Sequence, residues 1–138
     1  EFERVMVNYP QLKVAIGHFG MPNRDGWPGQ LHLCRHENVL LECGGIIWLY
    51  RSEGYPFSGA RRMIREAVNE VGIGKLMWGS DWPRTMVDFT YRQSLDFVLF
   101  DESLNEQEKQ AFLGGNAVEL YDLRGAQEKQ RLPLITEG

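Results

Sequence analysis

The chain has 138 residues, 43% of them hydrophobic and 25% charged, with a formal net charge of −4. That is enough for one modest core, and an acidic balance with no basic stripe argues against nucleic acid as a partner. No apolar run has membrane length and no signal-peptide pattern is present, so no membrane is expected and a cytoplasmic location is the default.

The pattern opens on a helix, Glu1 to Asn8, with Phe2, Val5, Met6 and Tyr9 at helical spacing and Pro10 as its stop. Because the chain starts inside that helix and not on Met, it is expected to be a piece of a longer protein or a trimmed version of one. Lys13 to Phe19 reads as a buried strand, followed by a turn-rich segment through Gly26. Trp27 to Arg35 is weakly helical, with Leu31 and Cys34 on one side. Asn38 to Cys43 is a second buried strand ending in Gly44 and Gly45. A loop from Trp48 to Phe57 leads to Ser58 as N-cap of a helix, Gly59 to Val71. Its apolar face is Met63, Ile64, Ala67, Val68 and Val71, and Gly72 is its stop.

Lys75 to Trp78 is the third strand, ending in Gly79-Ser80-Asp81-Trp82-Pro83, where Pro83 forbids further ladder pairing. If Asp81 points inward, Met77 and Gly79 share its side, and Leu76, Trp78 and Ser80 face covering helices. Tyr91, Leu95, Val98 and Leu99 then mark a helix, and Ser103 to Glu106 reads as a capping box opening another through Phe112. Gly114-Gly115-Asn116 is expected to break that helix before a last short one, Ala117 to Leu123. Residues 124–138 are polar and aperiodic and read as a tail.

Near-continuous apolar strands alternating with helices predict an α/β fold with a parallel sheet covered by helices. His18 and Asp81 each follow a strand, two βα units apart, so both should emerge on one rim of the sheet. That rim is where such folds put their chemistry.

Several side chains there admit two readings. An imidazole and a carboxylate in one pocket suit a divalent metal plus a base that activates water. The plainer alternatives are a hydrogen-bonded core histidine and an aspartate that caps a turn. His32 and His36 lie four apart but lack the glutamate of a metalloprotease helix, so a solvated face is the better reading. Glu42 is either a rim carboxylate or a satisfied structural group. Arg24 and Arg84, after the first and third strands, either fork onto a substrate carboxylate or are surface arginines. Trp78 and Trp82 read as packing. Cys34 and Cys43 are in no metal or redox spacing and read as free buried thiols.

Four motifs in order carry a resemblance. Leu12 to Pro22 resembles the sixth-strand histidine motif of the amidohydrolase-related family, and Asn38 to Gly45 is similar to its seventh strand. Leu76 to Pro83 resembles the eighth-strand aspartate motif, and Gly114 to Tyr121 the closing helix. The family comprises TIM-barrel, mostly metal-dependent lactonases, other hydrolases and some non-oxidative decarboxylases, and part of its lactonase branch is thought to work without metal. The resemblance implies that residues 1–123 are the C-terminal three βα units of a (β/α)8 barrel plus closing helices.

It further implies a hydrolase of a small, carboxylated substrate such as a lactone. His18 would contact metal or substrate, and Asp81 would be metal ligand and general base. Arg24, Glu42 and Arg84, by their places at the strand ends and not by the resemblance, would line the substrate. A decarboxylase of the same family is the alternative, and an inactive fragment that only self-associates or binds a partner is the alternative of another class. The family's paired histidines on strand one and its histidine on strand five have no counterpart here. A divalent metal, zinc by the resemblance, would therefore lack a ligand in this chain. Unpaired sheet edges and an inner face carrying Val14, Ile16 and Met77 predict self-association, or a missing N-terminal half, in place of a monomer.

Overall fold

The computed structural model describes residues 1–123. The predicted tail, residues 124–138, lies outside the described residues. The elements are α1 (Phe2–Asn8), β1 (Val14–Ile16), α2 (Trp27–Leu33), β2 (Val39–Glu42), α3 (Ile46–Leu49), α4 (Ser58–Val71), β3 (Leu76–Met77), α5 (Tyr91–Leu99), α6 (Glu106–Gln110) and α7 (Asn116–Leu120). The three strands form one parallel sheet in the order β1-β2-β3, with Ile16 opposite Leu41 and Glu42 opposite Met77. The predicted strands are all present but shorter than expected: β1 and β2 give way to tight turns at their carboxyl ends, and β3 begins only after a 3-10 turn that takes Lys75.

Alternation along the strands divides the sheet into two faces. Val39, Leu41, Cys43 and Leu76 point into the main core, where Leu31 of α2, Ile64 and Ala67 of α4, Phe97 of α5 and Phe112 meet them. Each large side chain buried there stabilises the fold by roughly 1.5–3 kcal/mol. On the other face Leu40 and Met77 pack with Leu120 and Ala117 of α7. Trp78 joins the main core, so the expected split between Leu76/Trp78 and Met77 is what the sheet shows. Val14 and Ile16 depart from expectation: they pack against the helix-side core, and Ala15 is the exposed residue of β1 between them. The face that was expected to be open and apolar is small, and α7 covers its Leu40 and Met77.

Several helix boundaries were misread for local reasons. The chain enters α4 through Phe57, buried at φ 57°, and Glu53 Oε2 accepts from the Gly59 N–H at 2.6 Å. Ser58 is therefore inside the helix and caps nothing. Gly72, at φ 83°, does stop it. The loop before α4 is largely helical, holding α3 and a 3-10 turn, Arg51–Glu53. The capping box of α6 is Asn105 with Glu108, two positions later than predicted; α5 has its own, Thr90 with Gln93. Buried residues of α5 are Ser94, Phe97 and Val98, and Tyr91 is exposed.

Gly114 and Gly115 do not break the chain. A π-helical turn, Ala111–Gly115, carries α6 straight into α7. Two contacts outweigh the glycine cost of about 1 kcal/mol each. Phe112 is fully buried and its carbonyl accepts the Trp78 N–H at 2.8 Å. Asn116 Nδ2 donates to Ile73 O at 2.7 Å and Leu76 O at 2.6 Å. The π turn and Asn116 thus pin the C-terminal helices to the approach of β3.

Candidate active site

All three strands deliver a polar side chain to the carboxyl rim. After β1 the backbone turns left-handed at His18 (φ 52°) and Phe19 (φ 53°). Phe19 is completely buried against Trp27, whose indole donates to the Phe19 carbonyl at 2.8 Å. That anchor leaves His18 on the outside of the turn. Its Nδ1 lies 3.1 Å from the Gly44 carbonyl. A carbonyl only accepts, so Nδ1 carries the hydrogen and Nε2 keeps a lone pair for a ligand.

Glu42 closes β2 with Oε1 accepting from the Gly44 N–H at 2.7 Å. The carboxylate is half-buried, and a β-carbon at Gly44 or Gly79 would lie within 2.6 Å of Oε1. Burial pushes the Glu42 carboxyl above its ordinary range; the Gly44 N–H and His18 pull against this, and Asp81 adds to it. Asp81 follows β3 at φ 52°, and its Oδ2 accepts from Trp48 Nε1 at 3.1 Å. The Trp48 ring also meets His18 edge-on, with centroids 6.1 Å apart. His18 and Asp81 are therefore neighbours across one indole, as two strand ends sharing a rim require.

The other predicted residues divide. Arg84 lies 5.7 Å over the Trp48 ring and pairs with Asp88 at 3.1 Å, so it belongs to the cluster with its charge partly answered. Arg24 is exposed, and no contact joins it to the cluster. His32 and His36 both approach Glu3 Oε1, at 3.6 and 3.7 Å, on the outer surface. Trp82 is exposed, contrary to the packing expectation, and Trp78 packs on Tyr91 with its indole donating to Ser94 O. Both cysteines are buried free thiols; burial raises Cys34 to about 12 and Cys43 further, which leaves neither reactive.

Trp48 was missed. It was read only as the start of a loop, although an aromatic shortly after a glycine pair that ends a strand is a usable signal. A cleft of about 390 Å³ lined by Lys13, Asn38, Lys75 and Asn116 opens at the opposite, amino end of the strands, away from this chemistry.

His18 Nε2, an imidazole nitrogen, and Asp81 Oδ1, a carboxylate oxygen, are atoms of the kind that bind a metal. Among the described residues, however, no group of three His, Cys, Asp or Glu side chains comes together to hold an ion. A catalytic zinc takes three protein ligands, so these two residues fit part of a metal set and do not complete one.

A parallel sheet with helices, whose strand ends bring a histidine, a glutamate and an aspartate to one rim, defines an α/β protein with enzyme-like architecture. The Amidohydrolase family model matches residues 1–123, and the chain belongs to that family. It is 25% identical to the L-fucono-1,5-lactonase of Burkholderia ambifaria, covering 82% of this chain and 42% of that protein. A zinc-bound amidohydrolase structure from Burkholderia multivorans aligns with a TM-score of 0.69 at 19% identity, over 87% of this chain and 47% of that one. A Pseudomonas putida structure provisionally described as a 2-pyrone-4,6-dicarboxylic acid hydrolase aligns at 28% identity and a TM-score of 0.60, over 87% and 48%. Aromatic acid decarboxylases at 16–19% identity share the fold, one of them with bound manganese. The chain spans less than half the length of each of these relatives. No helix among the described residues is long and apolar enough to cross a membrane.

Proposed function

We propose that residues 1–123 are the last three βα units of a (β/α)8 amidohydrolase-family enzyme that hydrolyses a small, carboxylated cyclic ester. The observation that carries this is the pairing of His18 and Asp81 across Trp48 at the carboxyl rim. The lactone as substrate draws on two relatives named for cyclic-ester chemistry, the fuconolactonase and the pyrone-dicarboxylate hydrolase. Asp81 takes the proton from the attacking water through Oδ1, while Trp48 holds Oδ2. His18 offers its Nε2 lone pair as a metal donor. Arg84, stacked on Trp48, receives the substrate carboxylate and Glu42 lines the same rim, whereas Arg24, which stands outside the cluster, has no role there. A divalent metal held by His18, Asp81 and donors from outside the described residues would polarise the carbonyl and acidify water.

The test is Asp81→Asn in a catalytically competent protein that contains this chain, assayed on carboxylated lactones. The variant keeps the shape and loses the base, and kcat should fall by orders of magnitude. Hydrolysis within about tenfold of the parent would leave Asp81 a structural residue. Release of carbon dioxide from an aromatic acid, with no lactone turnover, would support the decarboxylase alternative.

A second reading of another class has its own observation. Phe2, Val5, Val7, Tyr9 and Leu12 are all exposed along α1 and the approach to β1, and no third metal donor joins His18 and Asp81 among the described residues. On this reading the chain is inactive by itself and works only by pairing with a copy or a partner.

A further inference from the structure

Asp81 is not aimed by strand alternation, because its backbone has left the extended region for φ 52°. Aspartate tolerates that conformation, but its carboxylate then has no ladder neighbour to fix its direction. The fixing group is an indole 33 positions earlier: Trp48 Nε1 donates to Oδ2 at 3.1 Å. The same ring rests on the edge of His18 and under the Arg84 guanidinium. Gly45 makes the approach possible. It stands at φ 78°, and a β-carbon there would lie 2.1 Å from Trp48 Nε1 and 2.7 Å from Asp81 Oδ2. Backbone and indole thus close on one carboxylate oxygen from two sides.

We propose that Trp48 is a positioning residue that ties down Oδ2 of Asp81, so that Oδ1 alone is presented to the substrate side of the rim. Its role in turnover rests on the reading of Asp81 as the base; the anchoring itself does not. An outer group that holds a reacting side chain by a single hydrogen bond commonly matters about 10–100-fold to the site it serves.

The experiment is NMR on the isotope-labelled 138-residue chain, with no substrate or metal, so its outcome is independent of whether Asp81→Asn abolishes hydrolysis. The Trp48 indole N–H should exchange with solvent at least about tenfold more slowly than that of Trp82, whose side chain is exposed. Trp48→Phe keeps an aromatic ring, though a smaller one, and removes the N–H. It should shift the Asp81 carboxyl carbon and lower the order parameter of its β-carbon. Gly45→Ala should keep the indole N–H and make it exchange quickly. The Trp78 indole, bonded to Ser94 O at 2.8 Å, reports that each variant is folded. Should either variant lose that protection, the Trp48 and Trp82 exchange rates in the unmodified chain decide alone. Equal rates there, or an unchanged Asp81 signal in folded Trp48→Phe, would overturn the proposal.

Discussion

Gly79 and Glu42 compete for the same space: a β-carbon at Gly79 would sit 1.5 Å from Glu42 Oε1. The Glu42 carboxylate reaches the Gly44 N–H beside the end of β3 only because position 79 has no side chain. Gly79→Ala should push the carboxylate aside and strand that N–H, at a cost of about 1 kcal/mol. Glu42→Ala should cost a similar amount, and the double variant little more than either alone, because both remove one contact. Urea midpoints of the three variants check this, and simple additivity would mean that the two residues do not share the slot.

Asn116 spends both amide hydrogens on carbonyls at the approach of β3, Ile73 O and Leu76 O. Asn116→Ala leaves two acceptors without their donor and should destabilise the chain by about 1–3 kcal/mol. Asn116→Asp should be worse at neutral pH, since a carboxylate would face two carbonyl oxygens. A denaturant midpoint unmoved by Asn116→Ala would show that α7 is not pinned in this way.

Glu108 caps α6 through Asn105 and also receives Arg65 in a two-pronged pair at 3.0 and 3.1 Å. The Arg65 hydrogen bonds hold its carboxyl below the ordinary range, and the Asn105 N–H helps. A depressed folded-state pKa means that the stabilisation is present above the unfolded value of about 4.3 and is lost as pH falls through the folded one. Melting temperature should therefore drop more steeply below about pH 4.5 in the parent than in Glu108→Gln, which keeps the cap and lacks the titration. Parallel curves would remove the pair from the pH response.

Within the described residues β1 and β3 each pair on one side only, and α1 exposes the apolar residues Phe2, Val5 and Val7. Open edges and contiguous apolar surface recruit further chain. The purified chain should scatter light as a dimer or larger and bind zinc weakly. Val7→Lys with Leu12→Lys should shift it toward monomer. A monodisperse parent monomer holding one tightly bound zinc would contradict both expectations.

The order of strands and helices was legible because its signals are local. Apolar runs made the strands, Ile64 and Ala67 repeat at helical spacing, and Gly72 ends α4 where a left-handed residue is needed. The motif residues His18 and Asp81 could be picked out in the same way, and the prediction that they share a rim followed from parallel βα order alone. Features that depend on distant partners could not be read. The π turn at Gly114 and Gly115 survives because Trp78 partners Phe112 and Ile73 partners Asn116, 34 and 43 positions apart. Ser58 is a local exception, since the carboxylate that caps α4 comes from Glu53, six positions before Gly59. Val14 and Ile16 went to the helix side because strand pairing, not hydrophobicity, sets which face each residue takes. Which oxygen of Asp81 is free, which nitrogen of His18 is free, and what occupies the space at Gly79 were decided only when β1, β2 and β3 came side by side. A hydrogen bond needs its two atoms near 3 Å, and no one-dimensional spacing specifies that for residues that meet through a sheet.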